Sequence, residues 1–197
     1  IMSSDWSSDV CSSDLVFRLP MAMDFYFMDT VIRKSLELAA PTDTFTFVFD
    51  TEPLAIVPDA GNYVLAELEE EQDLAAYGVI YERAPLAAHR LWAMGILSDH
   101  QSKSPIAARV VSVACEDDFY YIRRRAVDAL EEDNSFDMDH KAVLMRLAAD
   151  DEESIVRATA LEKLSEWNTE GEDIEALVES ALGDSSYMVQ GEALLFL

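Results

Sequence analysis

One pattern recurs four times in the C-terminal part of this chain, at spacings of 33, 34 and 33 residues. Each copy has a leucine, an alanine four residues before it and a hydrogen-bonding side chain seven residues before it. The leucines are Leu97, Leu130, Leu164 and Leu197, the alanines are Ala93, Ala126, Ala160 and Ala193, and the polar residues are Arg90, Arg123, Arg157 and Gln190. A repeat of this length with helical apolar spacing is typical of an α-helical solenoid, whose helix pairs bury their apolar stripes against their neighbours. We therefore expect a mainly α fold, with repeats over 69–197 that carry no chemistry themselves.

Apolar residues keep a helical period throughout this region. The pattern predicts eight helices, at 69–81, 85–98, 103–116, 119–132, 137–149, 153–166, 171–182 and 186–197. Asp117, Asp151 and Asp184 each stand six residues before the polar residue of their repeat. We place them in the turns between paired helices, where a carboxylate can accept hydrogen bonds from free backbone amides. Because the last helix reaches Leu197 without a cap, we expect the array to be truncated at its C-terminus.

The region before the repeats has the two-residue period of β-strands. Strands are predicted at 15–27, 31–38, 44–49, 53–57 and 62–68. In the 44–49 run, three phenylalanines alternate with threonine and valine and would share one face. Short antiparallel strands at this spacing indicate an immunoglobulin-like β-sandwich over 15–68. Five strands are few for the two sheets of a sandwich, so we expect a partial sandwich.

The first fourteen residues differ in composition from everything that follows. Ser-Ser-Asp occurs three times, at 3–5, 7–9 and 12–14. Residues 10–15 are also what the end of a common sequencing adapter encodes. We interpret 1–14 as a sequencing-adapter artefact and expect it to be disordered; a flexible Ser/Asp-rich leader is the alternative. Outside this segment Cys115 is the only cysteine, so no disulfide within the chain is expected. The cysteine count therefore does not distinguish an oxidising from a reducing cellular compartment.

Charge limits the kinds of partner. The chain has 39 acidic and 14 basic residues, a net charge of −25, yet half of its residues are hydrophobic. This much apolar content indicates a folded chain rather than a disordered one. An acidic surface repels phosphate backbones and anionic lipid, which argues against nucleic-acid and membrane partners. The sequence also lacks the continuous apolar run of a membrane-spanning helix.

Several short motifs, taken in order, resemble zinc aminopeptidases of the aminopeptidase N family. Val-Phe-Arg-Leu-Pro-Met at 16–21 is similar to a strand of that family's small β-sandwich, written F-R-[ML]-P-[LV]. The Phe-x-Phe run at 44–49 and Glu-Pro-Leu-Ala-Ile-Val at 52–57 resemble its next strands. Tyr-Val-Leu-Ala-Glu at 63–67 follows where that sandwich ends, and Arg90 begins a pattern similar to the start of the family's helical C-terminal domain. The recurring Asp and Arg residues also resemble the polar ladder of HEAT repeats.

The resemblance covers 15–197 and implies a parent that removes N-terminal residues from peptides. Its zinc would be held by the two histidines of H-E-x-x-H and a downstream glutamate, and a G-x-M-E-N loop would hold the substrate amine. This chain has only His89, His100 and His140, none of them in such a motif, so no catalytic, cofactor-binding or metal-binding residue is assigned. The resemblance implies a non-catalytic C-terminal fragment whose HEAT-like helices wall the substrate cavity and limit peptide access. Its partners would be the upstream catalytic domain, which holds the zinc, and the parent's peptide substrates.

Two other functions stay open. A free-standing HEAT-repeat scaffold would bind a protein partner on its concave face, although pure HEAT scaffolds do not begin with half a sandwich. A catalytically dead relative of the aminopeptidases would serve assembly, and nothing in this chain separates it from an active parent.

Single polar residues have structural explanations. We expect His89 to be packed or half-exposed and Cys115 to be buried, and we expect Arg124 and Arg125 to pair with the nearby Glu131 and Glu132.

Overall fold

The computed structural model describes residues 18–40, 43–64, 70–132, 136 and 139–196. The chain divides into two compact units, one ending at Glu71 and one beginning at Gln72. The described part of the first unit contains three strands, and that of the second contains eight helices. A mainly α solenoid preceded by an antiparallel sheet is therefore confirmed. The leader at 1–14 and the predicted domain boundary between 68 and 69 lie outside the described residues.

The sheet is formed by β1 (Leu19–Tyr26), β2 (Val31–Leu38) and β3 (Ala55–Val57), in the order β2-β1-β3. Both pairings are antiparallel, and the register places Leu19 opposite Leu38 and Asp24 opposite Val57. Arg33 of β2 donates two hydrogen bonds of 2.7 Å to the buried carboxylate of Asp24. The sheet therefore has a charged pair on one face of its two long strands.

The predicted strand at 44–49 is wrong, because these residues join no ladder in the structure. Two of its phenylalanines nevertheless pack on β1, with ring centroids of Phe47 and Phe49 at 5.0 and 4.9 Å from that of Phe25. The alternation thus indicated an apolar contact face and not strand pairing. The strand predicted at 53–57 is confined to β3, and residues 62–64 of the last predicted strand are not in a strand. Residues 65–68 lie outside the described residues, and the immunoglobulin-like sandwich stays a prediction.

All eight predicted helices are present, and each is shorter than predicted, although the first and the fifth end two residues and one residue later than predicted. They are α1 (Leu74–Arg83), α2 (Ala87–Ser98), α3 (Pro105–Ala114), α4 (Tyr120–Ala129), α5 (His140–Asp150), α6 (Ser154–Glu166), α7 (Glu172–Leu182) and α8 (Tyr187–Leu194). The first helix begins at residue 74 instead of 69 because the side chain of Asp73 caps it, accepting a 2.7 Å hydrogen bond from the Ala76 amide. The last helix ends at Leu194, and Leu197 lies outside the described residues.

The helices stack as consecutive pairs. The second helices of the pairs, α2, α4, α6 and α8, contact one another in that order, and the first helices contact in the α1–α3 and α5–α7 steps. The repeat alanines Ala93, Ala126, Ala160 and Ala193 are completely buried, as are Leu97 and Leu164, and Leu130 is 2% exposed. Small side chains at these sites allow neighbouring helices to approach closely, which confirms the register read from the sequence.

Candidate functional site

Three salt bridges link successive helix pairs at equivalent positions. Each joins an arginine of a second helix to the aspartate in the turn inside the following pair, and we call the set the Asp–Arg ladder. Its members are Arg90 with Asp117, Arg123 with Asp151, and Arg157 with Asp184. In every case the guanidinium Nε and Nη2 donate to both carboxylate oxygens, at 2.8–2.9 Å. This two-point geometry fixes both the distance and the orientation of neighbouring pairs.

The aspartates also shape their own turns. The carboxylates of Asp117, Asp151 and Asp184 accept hydrogen bonds from backbone amides two residues later, at 2.8–2.9 Å. Those amides belong to the residues that precede α4, α6 and α8, so the carboxylates occupy the turns where the sequence placed them. The predicted role in accepting from free amides is confirmed.

Each arginine contacts its own repeat as well as the next one. The Nη1 of Arg123 donates to the Asp117 carbonyl at 2.9 Å, and the Nη1 of Arg157 donates to the Asp151 carbonyl at 2.7 Å. Gln190 occupies the fourth position, where its amide donates to the Asp184 carbonyl at 2.6 Å. The six residues between each turn aspartate and the polar residue of its own repeat therefore reflect a hydrogen bond to the main chain. The ion pairs instead join residues that are 27 or 28 positions apart.

The electrostatics of the ladder favour the ionised pairs. Burial alone would raise the pKa of Asp117, but hydrogen bonds from Arg90 and the Phe119 amide outweigh it and hold that pKa below the ordinary value of 3.8. For Asp184, the hydrogen bond from Arg157 is the main cause of a lowered pKa. Burial raises the pKa of Tyr81, whose hydroxyl donates to Asp117 at 3.1 Å. The carboxylates of Asp117 and Asp184 are therefore charged at neutral pH, as are the arginines that pair with them.

An acidic cleft of about 370 Å³ lies beside the ladder. Six carboxylates and two arginines line it together with one leucine; the lining residues are Glu116, Asp117, Asp118, Arg123, Arg146, Leu147, Asp150, Asp151 and Glu152. Arg146 of α5 pairs with Glu116, just as Arg109 of α3 pairs with Glu82 of α1. Asp118 and Asp150 form no salt bridge within the described part of the chain. The cleft therefore keeps an excess of negative charge.

An aromatic cluster comes directly after Asp118 in the sequence. It consists of Phe119, Tyr120 and Tyr121, whose ring centroids are 5.4–6.5 Å apart. Phe119 and Tyr120 are 40% and 38% exposed, and they occupy the N-cap and first position of α4. The exposure of these rings could not be predicted from the sequence, because exposure at a helix start depends on how the preceding turn is placed.

The three histidines lie in different elements. His89 is buried in α2, His100 is exposed after that helix, and His140 is buried at the start of α5, where its Nδ1 lies 2.8 Å from the Glu131 carbonyl. Across 18–40, 43–64, 70–132, 136 and 139–196, no group of three or more His, Cys, Asp or Glu side chains is arranged to hold a metal ion.

Two further expectations have different outcomes. Cys115 is completely buried in the structure, as expected, and this burial raises the pKa of its thiol to about 12. Arg124 and Arg125 form no salt bridge with Glu131 or Glu132, all four being described residues, so that expectation is wrong. The Nε of Arg124 is instead buried without a hydrogen-bond partner.

No helix within the described ranges has both the length and the apolar character needed to cross a membrane.

A family model for HEAT repeats matches residues 107–197, from α3 to the end of the chain. With the stacked helix pairs and the ladder, this match identifies the fold as a mainly α, HEAT-like solenoid. The α1–α2 pair lies outside the match, yet its Arg90 forms the first rung of the same ladder. The chain matches no curated protein and no solved structure.

Proposed function

We propose that this chain is a non-catalytic binding module, in which the HEAT-like array presents an extended surface to a peptide or protein. The Asp–Arg ladder carries this proposal. Its three equivalent rungs fix four helix pairs in one continuous stack. Arrays of this kind act through the long surfaces that stacking creates, and their repeats hold the surface in shape.

In its more specific form, the proposal makes the chain part of a zinc aminopeptidase of the aminopeptidase N type. The helical repeats would wall the substrate cavity and limit peptide access, while an upstream catalytic domain would hold the zinc. One structural observation supports this form. The Phe-x-Phe run packs on β1, which contains the Leu19-Pro20 part of the first motif, so two of the resembling segments belong to one packed unit.

A free-standing HEAT-repeat scaffold is the alternative, and a catalytically dead relative is the third form. The sheet that precedes the helices favours the aminopeptidase form over a free scaffold. The dead relative would share every feature described above and would differ only in the zinc ligands of its upstream domain.

The coding sequence upstream of residue 15 provides the decisive test. The proposal expects an H-E-x-x-H motif and a downstream glutamate in the same reading frame. An upstream reading frame that encodes no catalytic domain would favour a free-standing HEAT-repeat scaffold. A catalytic domain whose zinc ligands are substituted would favour a catalytically dead relative.

If the motif is present, the role of the helices can be measured in the full-length enzyme. We would compare kcat/KM for a short N-terminal amide reporter and for a series of longer uncharged peptides. The full-length enzyme and a variant ending at Glu71 should differ in their preference for peptide length, because the variant lacks the proposed wall. Identical preferences in two folded enzymes would contradict the proposed role.

A further inference from the structure

We draw no further inference here: the strongest candidate, the exposed apolar face at the end of α8 formed by Met188, Leu194 and Leu195 beside a cleft of about 820 Å³ lined by α7, carries none because nothing in the structure shows what covers it.

Discussion

Arg123 and Asp151, 28 residues apart, form the most buried rung of the Asp–Arg ladder, with side chains that are only 9% and 4% exposed. Each guanidinium nitrogen involved lies 2.8 Å from its carboxylate oxygen. The outer rungs, Arg90 with Asp117 and Arg157 with Asp184, are more exposed on the arginine side. The middle of the array is therefore where the ladder contributes most to holding neighbouring helix pairs together.

Replacing Arg123 by alanine should destabilise the chain by about 3 kcal/mol or more, because it leaves the buried charge of Asp151 without a cationic partner. Urea unfolding measures this loss. Arg125→Ala is the matched control, since Arg125 is an exposed neighbour without a salt bridge in the described chain, and it should change stability by less than about 0.5 kcal/mol.

A second measurement isolates the pair itself. The Arg123→Ala and Asp151→Ala double variant should lose less stability than the sum of the two single variants, by about 1–3 kcal/mol. Strict additivity would show that the two residues do not act on each other.

Asp117→Asn tests the electrostatics of the first rung through pH. The folded pKa of Asp117 is lowered, so its ionised form contributes stability above the unfolded pKa, near 4, and that contribution disappears as the pH falls through the folded pKa. The variant should therefore be about 1–3 kcal/mol less stable than the parent at pH 7, and the gap should narrow as the pH falls below about 4. Urea midpoints at several pH values report the gap. A stability difference that widened as the pH fell would contradict the lowered pKa of Asp117. Asp118→Asn, at the exposed neighbouring position, is the control.

The helices and their contacts could be predicted from the sequence because one physical pattern repeats. Buried alanine and leucine recur at fixed positions, and each repeat needs the next to cover its apolar stripe. Helix ends were less accurate, as at Asp73 and Leu194, because caps and turns depend on local hydrogen bonds that apolar spacing does not report.

Other features could be predicted only in part, or not at all, from the sequence. The alternation at 44–49 indicated a strand, but strand pairing needs a neighbouring strand as well as an apolar face. The recurring Asp and Arg residues indicated a polar ladder, but their spacing of six residues within a repeat did not show that each arginine pairs with the aspartate 27 or 28 residues later. The exposure of Phe119 and the excess charge of the cleft arise from the placement of turns in space.

Replacing Ala126 with leucine should overpack the contact between second helices and cost about 1–3 kcal/mol, because this alanine is completely buried. Ala160→Leu should behave in the same way for the same reason. The control is Ala149→Leu, at an exposed position of α5, which should be close to neutral. Equal effects at Ala126 and Ala149 in thermal or urea unfolding would show that the repeat register is misplaced.

Cys115 should be chemically inert in the folded chain. Its side chain is completely buried and its thiol pKa is raised to about 12, so very little reactive thiolate forms at neutral pH. In a Cys11→Ser background, DTNB should react with Cys115 only when urea unfolds the helices. Rapid labelling under native conditions would contradict the buried position.

Hydrolysis of N-terminal amide reporters by the purified 197-residue chain is the decisive test of the proposed non-catalytic role. Peptide hydrolysis in this kind of enzyme needs a zinc ion that polarises the carbonyl and activates a water molecule. Because His89, His100 and His140 lie in separate parts of the described chain, we expect no turnover above buffer, with or without added zinc. Turnover that a chelator abolishes and added zinc restores would contradict it.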